Sequence, residues 1–203
     1  MESFLSVEKD GNIETVIERS RFITHVFYVE TEAAARGILD KLRKKYSDAT
    51  HNCYGYITDF GLTTKSSDDG EPSGTAGVPI LEVLKNKKLV NTLVVVTRYF
   101  GGIKLGAGGL VRAYSGASRD GVSACGIKEF FVCDLFEITV KYEELNIFKR
   151  DIAPLCHKVL NTDYLNEVKL TVAVKKSGYK PFIDKLKLIF YDKEAVKIGE
   201  NYY

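Results

Sequence analysis

Leu93, Val94, Val95 and Val96 form a continuous apolar run of the kind found in strands buried on both faces. The chain then enters RYFGGIKLGAGGLVRAYS, from Arg98 to Ser115, with glycine at 101, 102, 106, 108 and 109. A buried strand, a glycine turn and a following helix limit the fold more than any other segment does. Glycine admits positive φ and lets the backbone approach a neighbour or a ligand without a Cβ in the way. A helix that starts here presents unpaired backbone N–H groups, which favour an anion. Arg98, Lys104 and Arg112 bracket the turn, and a guanidinium can hold phosphate or carboxylate through two hydrogen bonds. The candidate anion-binding residues are therefore Arg98, Gly101, Gly102, Lys104, Gly106, Gly108, Gly109 and Arg112. The competing reading is that the glycines permit tight strand–helix packing and the arginines are solvated. No Gly-Lys-Ser/Thr follows, so the segment is not a Walker A loop, and it does not fit GxGxxG.

Glycine is unevenly spread, with fifteen of the seventeen before residue 136. That shift suggests two domains, residues 1–134 and 135–203. In the first, residues 13–18, 22–29, 52–58 and 89–99 read as strands. Ala35, Ile38, Leu42 and Tyr46 fall at helical spacing, with Thr31 as cap and Glu32 in the first turn. Two further helices are expected over 79–86 and about 107–125, with Pro79 in a first turn where its missing N–H does no harm. In the second domain Phe136, Ile138, Val140 and Tyr142 alternate, as do Val168, Leu170, Val172 and Val174. Leu145, Phe148, Ile152, Leu155 and Val159 make a helical stripe interrupted at Pro154, and Phe182, Leu186 and Ile189 make another. A short segment near 163–165 and a last strand at 195–199 complete a β-α-β-β-α-β order. The expected class is α+β, with a ferredoxin-like second domain.

Two other segments hold groups capable of chemistry. SSDDGEPSGTAG, residues 66–77, sets Asp68, Asp69 and Glu71 among turn formers and reads as a loop with conformational freedom. It could act as a flap over the glycine turn, its acids pairing with the arginines or holding Mg²⁺ beside a phosphate. A solvated acidic turn leading to a helix cap is the commoner use of such a segment. In ATHNCYGY, residues 49–56, His51 and Cys53 share a strand face, which suggests a thiol–imidazole pair. A buried cysteine and a hydrogen-bonded histidine are the more frequent outcome.

Composition narrows the rest. No run of about 18 apolar residues is present to span a bilayer, and MESFLSVEKDGN lacks the parts of a signal peptide. A cytoplasmic protein without a membrane partner is expected. Cys53, Cys125, Cys133 and Cys156 form no CxxC pair, which argues against a zinc knuckle and a disulfide framework. A net charge of +2 is too small to mark a general nucleic-acid binder, so any anion site must be local. Neither a metal nor a cofactor is expected.

Taken in order, SRFI at 20–23, ATHNC at 49–53, SSDDGEPSGTAG at 66–77 and RYFGGIKLGAGGLVRAYS at 98–115 strongly resemble the IMPACT/YigZ family. The second domain resembles the ferredoxin-like carboxyl-terminal domain of the bacterial members, which is similar to domain V of elongation factor G. For the first domain the resemblance implies the left-handed β-α-β arrangement shared with a small-subunit ribosomal protein and GHMP kinases. It marks Asp68-Asp69-Gly70-Glu71, Arg98 and the turn through Arg112 as motif positions without giving them a catalytic role. Gly55 stands where an alanine is usual. The chain begins directly with the IMPACT-type domain, without the RWD domain of eukaryotic members, so regulation of a stress-response kinase does not carry over. The expected function is a regulatory protein that binds RNA, the ribosome or a translation-related protein, using the cleft for phosphate. The alternative is an enzyme acting on a small phosphorylated or carboxylated substrate, clamped by Arg98 and Arg112 with Asp68, Asp69 or Glu71 as acid, base or metal ligand.

Overall fold

The first unit is organised around its central strand, in which side chains alternate between two buried faces. Leu93 and Val95 point to one face, Val94 and Val96 to the other, and all four are fully buried. The computed structural model describes residues 2–203. It divides into Phe4–Glu129 and a second unit of Phe130–Tyr203 with Glu2 and Ser3. The division falls inside a strand rather than in a glycine-rich linker.

In chain order the first unit contains β1 (Ser3–Val7, from Phe4 onward), β2 (Gly11–Ile17), β3 (Ser20–Tyr28), α1 (Glu32–Lys45), β4 (His51–Thr58), β5 (Thr63–Ser67), α2 (Gly77–Asn86), β6 (Thr92–Tyr99) and α3 (Gly106–Cys125). The sheet order is β2-β3-β6-β4-β5. Strands β3 and β4 flank β6 and both run antiparallel to it, so they are parallel to each other. Helix α1 joins them, which makes a β-α-β unit with β6 inserted. Thr31 Oγ1 accepts from the Ala34 N–H at 3.2 Å, the cap its position in the sequence suggests. Ala35, Leu39 and Leu42 of α1 cover the Leu93 and Val95 face. On the Val94 and Val96 face lie Ile80 and Leu84 of α2 with Leu110, Ala113, Tyr114 and Ala117 of α3.

Two strands of this unit carry no strong signal in the sequence. In β5, TTKSS is polar and pairs only along one edge of β4, so no apolar alternation betrays it. Leu5 of β1 makes an isolated parallel bridge to Leu89, a contact between residues far apart in the chain.

The second unit contains β7 (Ile127–Val140), α4 (Leu145–Ile147), β8 (Lys158–Tyr164), β9 (Val168–Lys175), α5 (Tyr179–Ile189) and β10 (Ala195–Tyr202). Helix α4 runs on as a π turn over Phe148–Ile152 and a 3-10 turn over Ala153–Leu155. The strands lie in the order β10-β7-β9-β8, every pair antiparallel, which is the ferredoxin-like arrangement. Phe136, Ile138, Val140, Leu170 and Val172 pack against Phe148, Ile152, Phe182 and Leu186. Two expectations are corrected. Val159 belongs to β8 and not to the helical stripe, because the irregular helix ends one residue beyond Pro154. Tyr142 sits in a 3-10 turn after β7, where its hydroxyl donates to the Leu165 carbonyl at 2.7 Å. Among the described residues no helix is long and apolar enough to cross a membrane.

Phe182 is fully buried and its ring centroid lies 5.5 Å from that of Phe136. Phe182→Ala is expected to cost about 3–5 kcal/mol in a urea titration, through lost burial and the cavity left behind. Leu188→Ala, at a side chain 77% exposed, should stay within about 0.5 kcal/mol.

Candidate functional site

Arg98 follows the parity of Val94 and Val96 and therefore points under α3. It is 4% exposed. Its Nη1 donates to Glu71 Oε1 at 2.6 Å and its Nη2 to Ser20 Oγ at 3.1 Å. Its Cζ lies 5.5 Å from the ring centroids of both Phe22 and Phe100, and its Nε is buried without a partner. Glu71, also buried, accepts a second bond on Oε1 from the Tyr114 hydroxyl at 2.8 Å, and His51 Nε2 lies 3.8 Å from its Oε2. Ser20 Oγ accepts in turn from the Gly101 N–H at 3.2 Å. A charge taken out of water must be paired to be tolerated, and this network meets that demand with groups from β3, β4, the 68–76 loop, β6 and α3.

The acidic segment is not a free flap. Asp68 accepts from the N–H groups of Gly74, Ala76 and Gly77 at 2.8, 2.9 and 2.8 Å. It thereby caps α2, whose own cap residue, Ala76, has no side chain able to do so. Partial burial would raise the Asp68 carboxyl, but the three N–H donors outweigh that and hold it below its ordinary range. Asp69 accepts from the Asn52 N–H at 2.7 Å and lies 3.5 Å from Arg43. With Glu71 on Arg98, the three carboxylates have three different partners. Among the described residues no cluster of His, Cys, Asp and Glu is arranged to hold a metal ion.

His51 and Cys53 do share a face of β4, yet they are not bonded to each other. His51 Nδ1 donates to the Asp69 carbonyl at 2.9 Å. The Cys53 thiol donates to the Asp68 carbonyl at 2.9 Å, and its sulfur lies 3.4 Å from Tyr114 Oη. Burial, opposed by the Tyr114 bond and reinforced by Glu71, Asp69 and Asp68, pushes that thiol up to about 12. The thiol stays protonated near neutrality, which removes the nucleophile that a thiol–imidazole mechanism needs.

The glycine turn divides by purpose. A Cβ on Gly101 would stand 2.1 Å from the Arg19 carbonyl carbon and oxygen, so glycine there lets the turn lie on the β2–β3 hairpin. Gly102 and Gly106 adopt φ of +85° and +70°. Gly106, Ala107 and Gly108 are exposed, and no side chain caps the start of α3. Lys104 is exposed just before it. Arg112 folds back along the helix, its Nη1 3.6 Å from where a Cβ of Gly108 would be. A cavity of about 240 Å³ is bounded by Glu71, Pro72, Arg98, Phe100, Lys104 and Gly106. Another of about 450 Å³ is bounded by Glu18, Lys104, Leu105, Gly109 and Arg112. Lys104 borders both, whereas Arg98 and Arg112 border different ones. Two participants, Ser20 and Tyr114, lie inside the motifs but received no role from the sequence, because their partners are remote in the chain.

Residues 18–122 match the Impact N-terminal domain. The chain belongs to the IMPACT family. It is 38% identical over 204 residues to the IMPACT family member YvyE of Bacillus subtilis (strain 168), covering 100% of this chain and 94% of that protein. It is 32% identical over 189 residues to the IMPACT family member YigZ of Escherichia coli (strain K12), covering 92% and 93%. A crystal structure of a hypothetical protein matches with a TM-score of 0.64 at 30% identity, over 99% of this chain and 100% of that one. The segment of this IMPACT family protein that matches the domain contains the whole Arg98 network. Gly55 lies beneath α2, where an alanine Cβ would be 3.0 Å from the Leu81 nitrogen, so glycine permits the close approach of α2 to β4.

The thiol geometry gives a direct expectation. Iodoacetamide at about pH 8 should leave Cys53 unmodified in the native protein and alkylate it in urea, as read by peptide mass spectrometry. Native modification at the unfolded rate would contradict the protonated, buried thiol.

Proposed function

We propose that this IMPACT family protein binds the phosphate groups of RNA at the start of α3, as a regulatory component that works on the translation apparatus. One observation carries the reading: the first turn of a 20-residue helix is exposed and uncapped, with Arg112 laid over Gly108 and Lys104 beside it. Such a turn favours an anion through its N–H groups and its dipole. In this proposal the cations have different tasks. Arg98 holds the turn in place from below through Glu71 and Ser20, and Lys104 and Arg112 make the contacts to phosphate. RNA is favoured because the cavities on either side of Lys104 suit a chain of repeated monoanionic groups. The link to translation is supported by the resemblance of both units to translation proteins, an argument from fold. No observation favours the enzyme alternative, since Asp68, Asp69 and Glu71 are each engaged elsewhere and Cys53 is protonated.

The test is a titration of short single-stranded RNA, mononucleotides and inorganic phosphate into wild type, Lys104→Ala and Arg112→Ala at two salt concentrations. Loss of one charge-assisted contact worth about 1.5–3 kcal/mol should weaken RNA binding in Arg112→Ala by about 10 to 150 fold. Lys104→Ala should cost less, because its flexible ammonium is well hydrated. Affinity should fall as salt rises. Unchanged RNA affinity in both folded variants would end the proposal, and tighter binding of a mononucleotide than of RNA would move it to a small phosphorylated ligand.

A further inference from the structure

Helices α2 and α3 pack side by side on one face of the first unit's sheet and leave a groove of about 350 Å³ between them. Its walls are Val78, Pro79 and Val83 of α2 and Val111 of α3. Val78 is 49% exposed and Val111 39%, so two apolar side chains meet water where the helices stop short of covering each other. The rim carries Glu82, Lys87 and Arg119. Glu82 is occupied, its Oε1 accepting from Lys85 Nζ at 2.9 Å. Neither Lys87 nor Arg119 has an ion-pair partner among the described residues. Arg119 reaches back along α3, its Nη2 4.0 Å from where a Cβ of Gly116 would stand, a direction that helical side chains favour. An apolar slot is thus edged by two unmatched cations.

We propose that this groove docks a peptide segment of a partner protein in which an apolar anchor side chain is flanked by Asp or Glu. The anchor removes Val78 and Val111 from water, and the flanking carboxylates meet Lys87 and Arg119 and set the direction of the bound segment. Three features select this occupant. The start of α2 borders the groove, but its N–H groups at Ala76 and Gly77 are taken by the Asp68 carboxylate, whose negative charge opposes a phosphate there. The walls hold no aromatic ring on which a base could stack. A second copy of this chain meeting the same face across a two-fold axis would set one net-basic rim against another, with Glu82 already taken by Lys85. Arg112 and Lys104 do not line the groove, so it is independent of the proposed RNA site.

The experiment pans a random-peptide display library on the full chain and measures the recovered peptides, fluorescein-labelled, by anisotropy. The expected peptides carry an apolar residue with Asp or Glu within a few positions. Their affinity should fall at least about tenfold in Val111→Asp, an exposed position where the fold survives, and be salt-dependent. The double reversal Lys87→Glu with Arg119→Glu should lose the acidic peptide and gain its Lys-substituted copy, while RNA affinity stays as in wild type. The proposal is overturned if nothing enriches, if recovered peptides lack acidic residues, or if they bind Val111→Asp as well as wild type. It is equally overturned if sedimentation shows a dimer that Val111→Asp dissolves, or if the charge reversal removes RNA binding instead.

Discussion

The ion pair between Arg98 and Glu71 is the constraint on which the first unit depends. Both groups are nearly excluded from water, and their contact is 2.6 Å. Burying a charge without a partner costs several kcal/mol, so each residue requires the other to be in place. The pair also sets distances elsewhere. Ser20 Oγ receives both Arg98 Nη2 and the Gly101 N–H, which fixes where the glycine turn leaves β6. Tyr114, two turns into α3, donates to the same carboxylate oxygen as Arg98. The helix is therefore anchored to the sheet by the charge pair, and the position of its exposed first turn follows.

Helix α3 distributes its roles by face. With 3.6 residues per turn, positions four apart share a stripe. Leu110, Ala113, Tyr114 and Ala117 are buried against the sheet. Gly108 and Arg112 form the stripe proposed to meet phosphate. Val111, Ser115 and Arg119 form the stripe that lines the groove with α2. One helix can thus present a polar end and an apolar flank to different partners without sharing a residue between them.

Much of this was legible in the sequence, and the failures share a physical cause. Local signals read well: Thr31 capping α1, the alternation of Phe136, Ile138 and Val140, and the buried run at Leu93–Val96 all stand where their patterns put them. What did not read were pairings across long separations. Pairing between the acids and the arginines could be raised from the sequence, but nothing local singled out Glu71, 27 residues earlier, as the partner of Arg98. A clue was present, since strand parity puts residue 98 on the face of Val94 and Val96, where a charge must be paired. Asp68 looked like one of three free acids because it caps α2 from eight and nine residues before Ala76 and Gly77, far outside the usual capping interval. Val159 was assigned to a helix because apolar spacing alone cannot locate the end that Pro154 imposes.

The central claim is that Arg98 and Glu71 act as a structural unit that positions the start of α3. A double-mutant cycle in urea, using Arg98→Met, Glu71→Gln and the combination, measures that directly. Each single variant should lose about 3–5 kcal/mol by stranding a buried partner, and the double should lose far less than the sum, with a coupling of about 2 kcal/mol or more. Losses within about 0.5 kcal/mol for Arg98→Met, or strictly additive losses, would mean that Arg98 is a solvated cation and that the pair does not hold the turn.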